Sequence, residues 1–226
     1  LLEERYKSHT ETRELFSVSS QHYAFVVNAF VSLLKRADMT RYELFLRETR
    51  TYEIIEDVKN FRSEIGVLFL NSYNRDVLTK MFDDNRLTYT SLFKARPHIF
   101  VSKSNPLAKH EVVSLEDLEE FPYLSYDQGI HNSFYYSEEI LSQIPHKKSI
   151  VVSDRATLFN LLIGLDGYTI ATGILNSNLN GDNIVSIPLG IDDEIDIVYL
   201  KHEKATLSKM GEKFLDNLVK EVTFDN

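Results

Sequence analysis

The chain has 226 residues, 43% of them hydrophobic and 12% aromatic, enough to bury the core of one large domain or two lobes without covalent staples. It has no cysteine, which excludes disulfides, thiolate metal sites and a cysteine nucleophile and agrees with a cytoplasmic setting. A net charge of -9, from 34 acidic against 25 basic residues, disfavours direct nucleic-acid binding by this piece, because neutralising phosphates needs clustered Lys and Arg.

No apolar run approaches the roughly 20 residues of a membrane span, and the start, residues 1–13, is charged and reads as the tail of a linker helix. Leu15, Phe16 and Val18 form a strand that runs into Ser19, Ser20 and Gln21, where helical periodicity begins at Tyr23. Such a helix start offers free N–H groups and the positive end of a dipole to an anion or a carbonyl oxygen. The same residues also read as an ordinary capped turn. In the helix that follows, Asn28, Ser32, Lys35 and Arg36 make one narrow polar stripe, while Tyr23, Phe25, Val26, Val27, Phe30, Val31, Leu33 and Leu34 cover the rest. Covering a sheet takes one stripe, so the remainder faces either another element of this chain or a second subunit.

Tyr42 to Glu48 reads as a strand, and Thr51 opens a helix through Ile54, Ile55, Val58 and Phe61. Glu64 to Leu70 is an unbroken apolar run, the habit of a strand covered on both faces. A polar turn at Asn71 and Ser72 leads to a helix with Val77, Leu78, Met81 and Phe82. This alternation predicts a doubly wound α/β sheet that binds ligands at the carboxyl ends of its strands. Leu87–Phe93 and His98–Ser102 are further strands, and Ser114–Glu120 is a helix with a capping-box start in which Asp117 replaces the usual Glu. Strand Tyr123–Tyr126 ends in Asp127-Gln128-Gly129, followed by a helix over Ser133–Gln143 and a strand over Ser149–Ser153. A helix from Asp154 stops at Gly167, strand Tyr168–Ala171 ends at Thr172-Gly173, and residues 176–182 form a loop. Strand Ile195–Lys201 and an amphipathic helix from Leu207 close the chain.

The turns at strand ends offer hydroxyls, amides and backbone N–H groups, the inventory of a binding pocket rather than an enzyme. Ser19 and Ser20 lack a G-x-S-x-G elbow, the acidic residues Asp83-Asp84 and Asp192 to Asp196 read as solvated loops, and the glycines form no phosphate loop or dinucleotide fingerprint. The seven histidines are scattered, so neither metal nor cofactor is expected. His22 and His131 lie near candidate turns, and Arg155 is placed to meet an acidic ligand.

The segments LFSVSSQHYAFVVNAF, EIGVLFL, HIFVSKSNPLAKHEVVSLEDLEEFPYLSY and VSDRATLFNLLIGLDGYTIATGI together resemble the effector-binding domain of LysR-type transcriptional regulators over nearly the whole chain. The most specific stretch is Val101 to Tyr126; Asn105 stands where the family commonly has histidine, and Thr172 where it commonly has proline. The resemblance implies a type 2 periplasmic-binding-protein-like fold, with two Rossmann-like α/β lobes joined by two crossover strands near Ala95 and Pro188. Lobe I would be 14–93 with 190–226, lobe II 94–189, and 1–13 the end of a linker helix from an N-terminal winged helix-turn-helix that binds DNA. It implies effector contacts from Ser19, Ser20, Gln21, Asn71, Ser72, Tyr126, Asp127, Gln128, Gly129, Ser153 and Thr172. It also implies a homodimer or homotetramer built through Tyr23, Val27, Phe30, Val31, Leu34, Tyr42 and Leu44. The expected role is cytoplasmic and non-enzymatic: a small anion, carboxylate or amino-acid-like effector controls DNA binding. A solute-binding receptor of a transporter on the same fold is the rival.

Overall fold

The computed structural model describes residues 14–36, 42–175 and 181–223. The linker reading for residues 1–13 and most of the loop at 176–182 lie outside the described residues. In chain order the first elements are β1 (Glu14–Ser20), α1 (Ala24–Arg36), β2 (Tyr42–Glu48), α2 (Thr51–Lys59), β3 (Ile65–Leu70), α3 (Arg75–Asp84) and β4 (Leu87–Ala95). A second set follows: β5 (His98–Ser102), β6 (Tyr123–Tyr126), β7 (Ser149–Val152), α4 (Arg155–Leu165), β8 (Tyr168–Ala171) and β9 (Ile184–Pro188). The chain then returns through β10 (Ile195–His202) and ends in α5 (Lys209–Thr223).

These strands build two five-stranded sheets, in the orders β2-β1-β3-β10-β4 and β7-β6-β8-β5-β9. In the first, β1 pairs parallel with β2 and β3, as the apolar β-α-β rhythm requires, while β10 runs antiparallel between β3 and β4. In the second, β6 is parallel to β7 and β8, and β5 is antiparallel to β8 and β9. The architecture is two α/β lobes, one per sheet, with the chain crossing between them at 96–97 and again at 189–194.

All six residues of β3 are buried. Its Val67 and Phe69 join Phe16, Phe25 and Phe30 on the α1 and α5 face, while Leu68 and Leu70 join Ile54, Ile55, Leu78 and Phe82 on the α2 and α3 face. That alternation is the period of two of a strand covered on both sides. The over-apolar α1 finds much of its second partner within the chain: Phe30 lies against Phe16 and Phe214 of α5, with centroids 6.3 and 6.4 Å away, and the Phe16 and Phe214 centroids are 5.5 Å apart. Phe30 is therefore enclosed in its own lobe, whereas Val27, Val31 and Leu34, one stripe at helical spacing, stay half-buried.

Three local readings differ from the structure. Residues 133–143 do not form an α-helix: only a 3-10 turn at Phe134–Tyr136 appears, followed by turns with Leu141 at φ 60°. Glu138, Glu139 and Ile140 are buried in succession, and three consecutive residues occupy more than half of a helix circumference, too wide for one buried face. Ser114–Glu120 likewise contracts to a 3-10 turn at Glu116–Leu118, although the Ser114–Asp117 box closes it in both directions, with Ser114 N to Asp117 Oδ2 at 2.8 Å and Asp117 N to Ser114 Oγ at 3.3 Å. Phe61, read into the stripe of α2, lies beyond it at φ 57°, largely exposed. Strand β9 went unread; it is short, at the sheet's edge, and ends in proline.

Candidate functional site

The carboxyl ends of β1, β2 and β3 converge on Gln21, whose side chain is 1% exposed and fully engaged. Its Oε1 accepts from Phe69 N at 3.1 Å and Tyr23 OH at 2.6 Å, and its Nε2 donates to Thr51 Oγ1 at 2.7 Å. One amide thus ties three strand ends together. Two backbone donors are left pointing away from lobe I: His22 N, at the approach to α1, and Thr51 N, in the first turn of α2. Donors of this kind select a carboxylate or a carbonyl oxygen.

Lobe II fills both positions with its own side chains. Gln128 Oε1 accepts from Thr51 N at 3.1 Å, and Gln128 Nε2 donates to Glu138 Oε1 at 3.0 Å. Glu138 Oε2 accepts from His22 N at 2.9 Å and meets His22 Nδ1 at 2.8 Å, with both side chains buried. Burial lowers the affinity of His22 for a proton, but the bond and charge of Glu138 outweigh it and leave its pKa raised above 6.5. The seam continues on either side. Arg50 pairs with the Asp127 carboxylate and donates from Nε to Asp127 O at 3.2 Å, and Arg155 Nε donates to Glu48 Oε1 at 3.0 Å. The Gly129 N–H, ahead of the Arg50 guanidinium, holds the Asp127 carboxyl below its ordinary range. Rings stack across the same line: His22 on Tyr126 at 4.1 Å, Tyr52 on His131 at 3.5 Å and Tyr73 on Tyr135 at 4.8 Å.

Behind the seam lies a cavity with ≈ 50 Å³ open to water-sized molecules. Its wall is mostly carbon, from residues such as Phe69, Phe100, Leu158, Phe159 and Ile195, with Thr169, Thr172 and Glu139 among the polar exceptions. The Glu139 carboxyl is pushed well above the usual range, first by burial and then by the neighbouring charge of Glu138.

Of the expected effector contacts, Gln21, Asp127, Gln128 and Gly129 meet at the seam, and Tyr126 and Thr172 line the cavity. Ser19 does neither: its Oγ is engaged inside lobe I by Asp57 and Ser63, each at 2.7 Å. Ser20 is fully buried in lobe I, its hydroxyl without a partner among the described residues. Asn71 folds its own turn, accepting from Tyr73 N and Asn74 N, and Ser72 and Ser153 are exposed. Arg50, Thr51, Glu138 and Glu139 were missed. Thr51 carried a signal, as a hydroxyl in the first turn of a helix after a parallel strand, whereas the two glutamates stood in a segment read as helix. In the expected interface, Tyr42 is 51% exposed on the edge strand β2, Leu44 is half-buried beside it, and Tyr23 is half-buried near the cavity.

Two α/β lobes that close on a shared polar seam define a ligand-binding domain of the type 2 periplasmic-binding-protein fold. The chain belongs to the LysR substrate binding domain family, whose model matches residues 19–223, and is the substrate-binding domain of a LysR-type transcriptional regulator. Its fold is similar to the reduced form of the OxyR regulatory domain from Pseudomonas aeruginosa, at 11% identity over 93% of this chain and 100% of that one, with a TM-score of 0.65. It is also similar to the effector-binding domain of QuiR in complex with shikimate, at 16% identity over 92% and 97%, with a TM-score of 0.60. HinK, a LysR family transcriptional regulator from Pseudomonas aeruginosa, aligns at 13% identity over 98% of this chain and 74% of that one, with a TM-score of 0.59. No curated protein matches the chain. Among the described residues no helix is long and apolar enough to cross a membrane, and no cluster of His, Asp and Glu has the form of a metal site.

Proposed function

We propose that this domain senses a small anion, carboxylate or amino-acid-like effector between its lobes and passes the change in seam geometry to DNA-binding domains of a cytoplasmic homodimer or homotetramer. The observation that carries the reading is Glu138: a carboxylate, supplied by the protein itself, already sits on His22 N and the His22 ring. A free carboxylate that displaces it finds the same donors, with Gln21, Thr51 and Gln128 beside it. The similar QuiR domain holds shikimate, itself a carboxylate. Exchanging an internal ligand for an external one changes what holds the lobes together, which is how a binding event becomes a conformational one.

The subunit contact in this reading uses the outer edge of β2, with Tyr42 and Leu44, and the half-buried stripe Val27, Val31 and Leu34 of α1. Thermal unfolding against a panel of carboxylates and amino acids tests the effector claim. A ligand at a hundredfold excess over its Kd stabilises by about 2.7 kcal/mol, a rise of roughly 5–10 °C for a chain of this size. A panel with no shift, and no change in the small-angle scattering profile, refutes it.

A further inference from the structure

Lobe I carries a second concavity that shares no residue with the seam. Ser19 turns its side chain to Asp57 of α2, so Leu15 and Ser17 of β1, and their β2 neighbours Phe45 and Arg47, lie on that same face of the sheet. β2 is an edge strand, and this part of its face is incompletely covered. Together with Phe61, Ser63 and His202 these residues enclose a groove with ≈ 370 Å³ open to water-sized molecules. Small-molecule pockets span about 300–1,000 Å³ and combine apolar rings with a few placed polar groups, as this groove does.

Phe61 is the most informative member. It follows α2 in a closing turn, where Arg62 N bonds back to Asp57 O at 2.8 Å and Phe61 N to Val58 O at 3.2 Å. This pattern sets the residue after the cap in left-handed backbone, here φ 57°, a position usually filled by glycine because a β-carbon disfavours it. The chain instead places there a ring that is 64% exposed and lies 4.5 Å from His202 between centroids. Neither burial nor backbone preference accounts for that ring, whereas a flat wall for the groove does.

The charges point the same way. The Asp57 carboxylate is taken by Arg62 Nε and Ser19 Oγ, each at 2.7 Å, and that of Glu64 by Ser208 N and Oγ, at 2.7 and 2.9 Å. Arg47 has no carboxylate partner among the described residues: its Nη1 reaches Arg62 O and Ser63 Oγ at 3.3 and 3.4 Å, and its guanidinium stands 5.1 Å from the Phe45 ring centroid. Its Nε and Nη2 have no partner there either, and neither is sealed from solvent. In a chain of net charge -9, an open guanidinium fork among exposed rings matches an incoming acid.

We propose that this groove is a second ligand site, for an aromatic carboxylate whose acid group pairs with Arg47 Nε and Nη2 and whose ring lies against Phe45 and Phe61. It stands apart from the effector between the lobes.

Protein-observed NMR titration with cinnamate, and with the neutral cinnamamide for comparison, tests this. Cinnamate is expected to bind with a Kd of about 1 mM or tighter, and at least about tenfold tighter than the amide. Its shift changes fall at residues 45–47 and 61–63. Arg47→Gln weakens cinnamate at least about tenfold. Phe61→Asn, a residue that left-handed backbone tolerates, weakens it at least about threefold without lowering the melting temperature. The location of the shifts is read on the wild type, so it decides the question even if a variant does not fold. No binding, an amide bound as tightly as the acid, or an affinity unchanged in Arg47→Gln overturns the proposal. A lower melting temperature in Phe61→Asn makes its ring a packing group and overturns it as well. Shifts at residues 22, 51, 128 and 138 instead place cinnamate between the lobes; this site then falls and the effector reading stands.

Discussion

Replacing Glu138 with alanine removes the group that joins the lobes at their most buried point. Its carboxylate takes two contacts from His22, at 2.9 and 2.8 Å, and one from Gln128 at 3.0 Å, with side-chain exposures of 3% for Glu138 and 6% for His22. Hydrogen bonds to a charged group are worth about 1.5–3 kcal/mol each, and breaking a buried ion pair costs about 3–5 kcal/mol in total. The seam can part and admit water, so the lower end applies. A loss of about 3 kcal/mol lowers the melting temperature of a chain this long by roughly 6–12 °C. The pH dependence has a definite sign. His22 has a raised folded pKa, so its contribution is fully present below its ordinary 6.5 and is lost as pH rises through the folded value. The gap in melting temperature between wild type and Glu138→Ala is therefore widest on the acid side of that range and narrows above it. Differential scanning calorimetry of both proteins between about pH 5.5 and about pH 8.5 checks this. A gap that is absent, or that widens towards alkaline pH, refutes the argument that an imidazolium–carboxylate pair holds the seam.

Phe214→Ala is expected to cost about 3–5 kcal/mol in urea unfolding, because the ring is fully buried between Phe16 and Phe30 and anchors α5 to α1. Gly129→Ala places a methyl group 2.6 Å from Arg50 Nη1 at φ 62°, so it destabilises by about 1–2 kcal/mol and loosens the Arg50–Asp127 tie, visible as faster amide exchange at 127–129. In the proposed dimer, Tyr42→Glu, on the exposed edge of β2, is expected to shift sedimentation from dimer to monomer while changing the melting temperature of the subunit by about 1 °C or less. An unchanged dimer assigns the contact elsewhere.

The elements legible in the sequence were those whose pattern is local. β3 announced itself because a strand buried on both faces has no polar positions, and α1 because too much of its circumference was apolar for one sheet. That surplus calls for a second partner, and α5, far along the chain, supplies much of it through Phe214. The seam was less legible. Arg50 meets Asp127, and His22 meets Glu138, across sequence gaps of 77 and 116 residues, which no local pattern encodes. Serines beside a turn looked like ligands, yet the strand's twofold period sends Ser19 to Asp57 inside lobe I. The segment carrying Glu138 and Glu139 reads as helix in sequence, yet the burial of both in succession with Ile140 is too wide for one helical face.

One feature of the topology reaches further than the seam. Ala95 at the end of β4 and Ile195 at the start of β10 are register partners, and Lys94 and Glu194 form an ion pair at 2.6 Å beside them. The second sheet therefore interrupts what is otherwise a single β4–β10 hairpin, as an excursion spliced into its tip. A little farther along, His98 and Pro188 are again partners, so the outgoing and returning chains enter the second sheet side by side as well. Two adjacent struts resist being pulled apart but twist and bend about their common line with little resistance. The halves are thereby joined covalently at this one pair of neighbouring strands, and the seam bonds supply non-covalent ties between them.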